Sequence, residues 1–298
     1  MLLILRESRA SAVKRAGPLC EKTVNGRALA MATCDTMRQR MRIVYFGNGP
    51  VALDVLRFLQ GEGEQVVALV LHDENQRRLG DELIAASGLP LELVFSGSAL
   101  REPRAIETLQ KLNADIGFSA LFGVILKPAV LELFPGGVVN VHPGYLPYNR
   151  GRNAQIWSIL DGTPVGATLH YMDDGVDTGP IVDRLQVAVE AWDTGESLRE
   201  KLEQACVDVT RSGWAAVRSG APPTPQNRDE GTLHRVRDVD IISEIDMDAM
   251  YRAGDLIDLL RALSAPPQSL GAYFQTATGK VRVSVNLELE PDADGSEE

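Results

Sequence analysis

Cysteine is scarce in this chain, and positive charge is outweighed. Three cysteines, Cys20, Cys34 and Cys206, stand far apart among 298 residues. They show neither an even count nor a metal-ligand spacing, which argues against a disulfide framework or a bound metal and for a reducing, cytoplasmic setting. No apolar run approaches the roughly 20 residues that a membrane-crossing helix needs, so no membrane partner is expected. Acidic residues outnumber basic ones by 41 to 30, a formal charge of −11. Nucleic-acid binding relies on clustered Lys and Arg that neutralise phosphates, so it is not expected over the whole surface. Part of the acidic excess lies in residues 288–298, which carry six acids and no base, and a local basic site stays compatible with the total.

The length allows one large domain, or one domain with a small appendage. Hydrophobic residues make up 44% and charged residues 24%, the balance of an ordinary globular chain. Residues 1–40 lean basic (Arg6, Arg9, Lys14, Arg15, Arg27, Arg38, Arg40) but hold no sustained apolar core for export. They read either as a transit-like peptide or as sequence upstream of a start at Met37 or Met41. The second reading is preferred because a strand pattern starts at Met41, and disorder is expected either way. The divisions are thus an extension at 1–40, a main domain at 41–220, and an appendage at 221–298 with a helix, a hairpin and an acidic tail.

Apolar runs at 42–46, 65–71, 91–95, 115–119 and 138–142 predict strands. Between them, 51–59, 79–87, 103–112 and the turn at 128–133 have helical character. This alternation predicts an α/β fold with a doubly wound, mainly parallel sheet, whose functional loops gather at the carboxyl ends of the strands. Further on come a helix at 153–160, antiparallel strands at 167–172 and 181–189, and a long helix at 198–218. Gly220-Ala-Pro-Pro-Thr-Pro225 is the clearest break in the pattern. A short helix at 253–263, a stop at Pro266-Pro267 and a hairpin of 272–275 with 280–289 complete it.

The chemistry concentrates in two loops. In Asn140-Val-His142, residues i and i+2 of an extended strand share a face, so both side chains can approach one reacting carbonyl. Downstream, Asp173-Asp174-Gly175-Val176-Asp177 adds carboxylates. An amide, an imidazole and a carboxylate suit acyl transfer to an amine, with Asn holding an oxyanion, His managing a proton and Asp orienting the His. Blander readings exist: Asn-x-His arises by chance, and an acidic run is often a surface loop. A calcium loop fails for want of a bidentate Glu at the required spacing. The spacing alone does not choose among Asp173, Asp174 and Asp177. A competing fingerprint, Gly47-x-Gly49-x-x-Ala52 with Asp73 after the next strand, points to an NAD-dependent oxidoreductase. Against it, Pro50 removes a backbone N–H that a phosphate would use.

From residue 42 to about 181 the chain resembles the formyltransferases that use 10-formyltetrahydrofolate. The match includes the loop from Asn140 through Pro143, Leu146-Pro147 and Arg150-Gly151, then Gly166-x-x-x-His170, and the Asp-x-Gly ending at Gly179. The resemblance implies that Asn140 holds the formyl oxygen, His142 transfers the proton, Asp177 is the catalytic carboxylate with Asp174 as the fallback, and His170 stands behind the carboxylate loop. It places the pterin between Phe122, Gly123, Val124, Ile125, Leu126 and Met172, Asp173, Asp174, Gly175, Val176. It gives the amine substrate to Gly49, Tyr145, Asn149 and Arg150, with no metal and no nicotinamide. The C-terminal part is similar to that of sugar N-formyltransferases, which implies a nucleotide-linked amino sugar as acceptor and a homodimer through that region. Methionyl-tRNA remains the alternative acceptor, and a catalytically idle scaffold the alternative of another kind.

Overall fold

Residue 42 opens a strand that is buried along almost its whole length, β1 (Arg42–Gly47). A run of apolar residues without alternation is what a central parallel strand covered on both faces requires. The computed structural model describes residues 40–264 and 271–290. The expectations for 1–39, for the stop at Pro266-Pro267 and for the last residues of the tail lie outside the described residues.

After β1 come α1 (Gly49–Gly61), β2 (Gln65–Leu71), α2 (Gly80–Ser87), β3 (Val94–Ser96), α3 (Pro103–Lys111), β4 (Ile116–Ala120), α4 (Pro128–Leu131) and β5 (Val138–His142). Then follow a two-residue β6 (Arg150–Gly151), α5 (Ala154–Asp161), β7 (Gly166–Tyr171), β8 (Ile181–Gln186) and α6 (Gly195–Ser219). The seven-stranded sheet runs β3-β2-β1-β4-β5-β7-β8. Its first five strands are parallel, and β7 and β8 join antiparallel. The expected α/β fold with a doubly wound, mainly parallel sheet is the observed one.

Alternation along β1 sorts the two faces. Ile43 and Tyr45 join Val55, Leu56 and Leu83 of α1 and α2 and Trp214 of α6 in one cluster. Val44 and Phe46 join Leu109 of α3 and Val130 of α4 in the other. Trp214 also donates its indole N–H to the buried Glu64, which accepts the Met41 amide as well and pairs with Arg218 at 3.3 Å. One carboxylate thereby ties the entry of β1 to α6. The long helix begins three residues before its expected start, because Thr194 and Ser197 form a reciprocal capping box, and it ends at Gly220 in the left-handed conformation.

The chain beyond the Pro-rich break returns to the main unit. From Arg40 onward the described residues cluster as one compact unit. A short β9 (Leu233–His234) pairs in parallel with β6. Next, α7 (Val236–Ile242) and α8 (Ala253–Ala262) build a third cluster with α5 and α6, through Ile156, Trp157, Leu198, Val239 and Leu263. The hairpin is β10 (Tyr273–Thr276) with β11 (Gly279–Arg282), shorter than expected. From Val283 onward the ladder stops, although half-buried and exposed positions still alternate.

Candidate active site

Asn140 and His142 lie at the carboxyl end of β5, where the sheet changes from parallel to antiparallel pairing. Asn140 is opposite His170 across the β5–β7 ladder, and His142 opposite Thr168. The His170 Nδ1–H donates to the Tyr171 carbonyl at 2.8 Å. Its Nε2 is therefore an acceptor in the neutral ring, and the Asn140 Nδ2 donates to it at 3.1 Å. That contact fixes which way the Asn140 amide points. The His142 and His170 rings stand edge to face at 6.4 Å.

Asp177 completes the group from the loop between β7 and β8. One carboxylate oxygen is 3.5 Å from His142 Nδ1 and the other 3.7 Å from His170 Nε2. The Gly151 N–H donates to the first oxygen at 2.9 Å. Burial raises the Asp177 pKa, but His142, His170, the Gly151 amide and Arg150 together outweigh it and hold the carboxyl below its usual value. For His170 burial wins over the attraction of Asp177, so its pKa falls and the ring stays neutral. Nε2 of His142 is buried and has no hydrogen-bond partner among the described residues. The cluster thus offers an ionised carboxylate, a neutral supporting imidazole, an oriented amide, and one imidazole nitrogen free to exchange a proton.

Not every residue expected near this cluster presents itself to a ligand. Asn149 is fully buried, and its amide bonds Ser158, Thr163 and Thr232. The side chain is thus consumed in holding its own loop. At Gly49 the N–H donates to the Arg78 carbonyl, the Asn48 N–H donates to Ala120, and Pro50 has no N–H. The turn therefore has few donors left for a phosphate, which also weighs against the dinucleotide reading. Tyr145 carries the Arg184 guanidinium over its ring at 4.6 Å. Arg150 directs its Nε to the Thr232 carbonyl at 3.3 Å.

Of the loop expected to flank a pterin, Phe122 and Leu126 turn into the core, while Val124 and Met172 lean on the same cluster. Ile125 is 79% exposed, and Val176 is exposed too. Gly123 has φ +67°, and a Cβ there would come within 2.9 Å of the Arg152 guanidinium. Asp173 turns its carboxylate inward onto the Gly175 amide and the Thr178 hydroxyl. Asp174 and Gly175 are exposed. The fallback carboxylate is thus the outward-facing one, and Asp177 meets the histidines.

A cavity of about 590 Å³ opens at the ends of β2 and β3, lined by His72, Asp73, Glu74, Asn75, Arg77, Val94, Phe95, Ser96 and Ser98. None of Asn140, His142 or Asp177 lines it. His72 connects it to their neighbourhood, since its Nε2–H donates to the Phe122 carbonyl at the head of the exposed loop. Sequence reasoning missed His72, Arg152 and Gln226. The order β2-β1-β4 brings His72 beside Phe122, the β6–β9 pair holds Arg152 beside His234, and the Ile181–Thr224 bridge brings Gln226 to the Asp177 loop, and no spacing in the chain signals these approaches. Among the described residues, no group of three or more His, Cys, Asp or Glu could hold a metal ion.

The formyl transferase family matches residues 41–210, and the N-formyltransferase dimerization C-terminal domain matches residues 238–291. A dTDP-4-amino-4,6-dideoxyglucose formyltransferase from Mycobacterium tuberculosis is 35% identical over 154 residues, which cover 52% of this chain and 65% of that protein. A methionyl-tRNA formyltransferase from Chloroflexus aggregans is 36% identical over 156 residues, 49% of this chain and 50% of its own. The chain therefore spans less than two thirds of these curated relatives. Among solved structures, a proposed sugar N-formyltransferase from Mycobacterium tuberculosis has a TM-score of 0.67 at 27% identity, covering 85% of this chain and 99% of its own. With more than half its length matched, the chain belongs to the formyl transferase family.

Proposed function

We propose that the protein transfers the formyl group of 10-formyltetrahydrofolate to the amine of a nucleotide-linked amino sugar, with residues 41–220 as the catalytic region. The observation that carries this reading is the free, buried Nε2 of His142, on the same strand face as the oriented amide of Asn140 and backed by the ionised Asp177. The folate supplies an activated formyl carbonyl when bound. Asn140 Nδ2 donates to the oxygen of that carbonyl as it gains charge. His142 accepts the proton released as the acceptor nitrogen bonds to the formyl carbon, Asp177 stabilises the imidazolium that results, and the imidazolium returns the proton to the folate nitrogen as its bond to the formyl carbon breaks and tetrahydrofolate leaves. The exposed Ile125 and Val176 suit the flat, largely apolar face of a pterin.

Two observations favour a sugar over methionyl-tRNA. The C-terminal residues match the dimerization domain of N-formyltransferases, and the overall charge of −11 disfavours a polyanionic acceptor. The same match supports a homodimer, and the absence of a disulfide pattern supports a cytoplasmic setting. The test is direct: purified protein is incubated with 10-formyltetrahydrofolate and dTDP- or UDP-linked amino sugars, with methionyl-tRNA in parallel. Gain of one formyl group on a sugar is the expected mass change. Formylation of the tRNA alone would overturn the choice of acceptor.

A further inference from the structure

The segment after the Pro-rich break touches both loops of the site. Gln226 donates its amide to the carbonyls of Asp177 at 3.0 Å and Gly179 at 2.6 Å. Only the NH₂ side of the amide can serve two carbonyls, which leaves Oε1 buried and without a partner among the described residues. Six residues on, the Thr232 hydroxyl donates to Asn149 and accepts the Asn149 amide N–H, while its carbonyl accepts the N–H of Arg150. His234 then accepts the Arg152 N–H and stacks flat on Trp157 at 4.0 Å. One short stretch of chain thereby grips the loop that supplies the Gly151 amide and the loop that supplies Asp177.

Asp177 has reason to be gripped. Its φ is +52°, a left-handed conformation uncommon outside Gly, which Asp tolerates where hydrogen bonds hold it. Its carboxylate reaches both histidines from that backbone. Freed from the Gln226 amide, the peptide could relax toward the ordinary region and swing the carboxylate away.

We infer that residues 226–234 act as a strap across the site, and that Gln226 is a positioning residue that holds Asp177 against His142 and His170. The inference rests on Asp177 serving formyl transfer, but its geometric core can be tested without that activity. The charged and titratable groups facing Asp177 are His142 from β5, His170 from β7 and Arg150 from β6. All of them lower its pKa at the distances the strap maintains.

The experiment compares the intact protein with Gln226→Met, which keeps the length and removes the donor. Carbon-13 NMR of the side-chain carboxyl groups follows the titration of Asp177, with Asp177→Asn to assign its resonance. The carboxyl is expected to titrate at higher pH in Gln226→Met, with kcat reduced about 10- to 100-fold and KM for the folate within about twofold. Gln226→Ala, where water can replace the amide, takes its place if the Met variant folds poorly, and a smaller shift in the same direction is expected. An unchanged Asp177 titration in a folded variant overturns the strap. If the intact protein formylates no acceptor while the titration still moves, the strap stands and the proposed activity falls instead.

Discussion

Burial and pairing act in opposite directions on the two groups that flank His142. His170 is wholly enclosed, and its folded pKa lies below the ordinary 6.5. Between the folded value and 6.5 the unfolded chain binds more protons, so stability is complete above about pH 6.5 and declines as pH falls through the folded value. Asp177, also lowered, contributes stability above its unfolded value of 3.8 and loses it as pH falls further. Both effects weaken the fold in acid. His234, lowered as well by burial, shares the first step. In His170→Leu the loss of stability between pH 7 and 5, measured by thermal unfolding, should be visibly shallower. An identical slope would mean that His170 is not neutral in the folded protein. At the same scale, Asn140→Ala should leave the fold intact and cost roughly 10² to 10³ in turnover, as loss of an oxyanion donor does. His142→Ala and Asp177→Asn should cost at least as much, and near-normal turnover of His142→Ala would end the proposed mechanism.

At the scale of elements, the loop between β5 and α5 is held from inside. Asn149 has φ +54° and spends every polar atom of its side chain on Ser158, Thr163 and Thr232. Truncation leaves buried hydroxyls without partners, so Asn149→Ala should lose about 1–3 kcal/mol of stability. Denaturant titration measures this directly. A raised KM with unchanged stability would instead return Asn149 to the substrate. The pairing of β6 with β9 is similarly unforgiving, because a Cβ at Gly151 would meet the His234 carbonyl at 2.2 Å. Such contacts explain how a segment without obvious chemistry, 226–234, bears on the site.

For the whole molecule, the last quarter exposes an unusual amount of apolar side chain. Ile241 and Met250 are 75% and 98% exposed, and Met247, Ile257 and Val281 are exposed too. A two-stranded hairpin has little stability alone in water, and exposed apolar groups gathered in one region mark an interface. A symmetric dimer through this region is the expected assembly. Sedimentation at micromolar concentration should give twice the chain mass, and Val281→Asp with Val285→Asp should halve it while the catalytic region still melts cooperatively. Val283 is the poorer place for a charge, since it packs on the third core cluster. A monomeric parent protein would return the hairpin to an intramolecular role.

The parallel sheet was readable because local patterns decide it: buried strands such as 65–71 are apolar without interruption, and amphipathic helices separate them. Asn140 and His142 were readable for the same reason, two positions apart on one strand face. Position along the chain could also single out the Asp177 loop, but not which of its carboxylates turns inward. That depended on a left-handed backbone at Asp177 and an inward Asp173, both set by hydrogen bonds within the folded loop. For Asn149 and Gly49 the resemblance implied substrate contacts, while nothing in the sequence showed that Thr232 and Arg78 satisfy their polar groups within the fold. Gln226 stayed invisible because its partners are main-chain carbonyls almost fifty positions away. A carbonyl leaves no mark on sequence, so only the closure of the chain on itself could decide that contact.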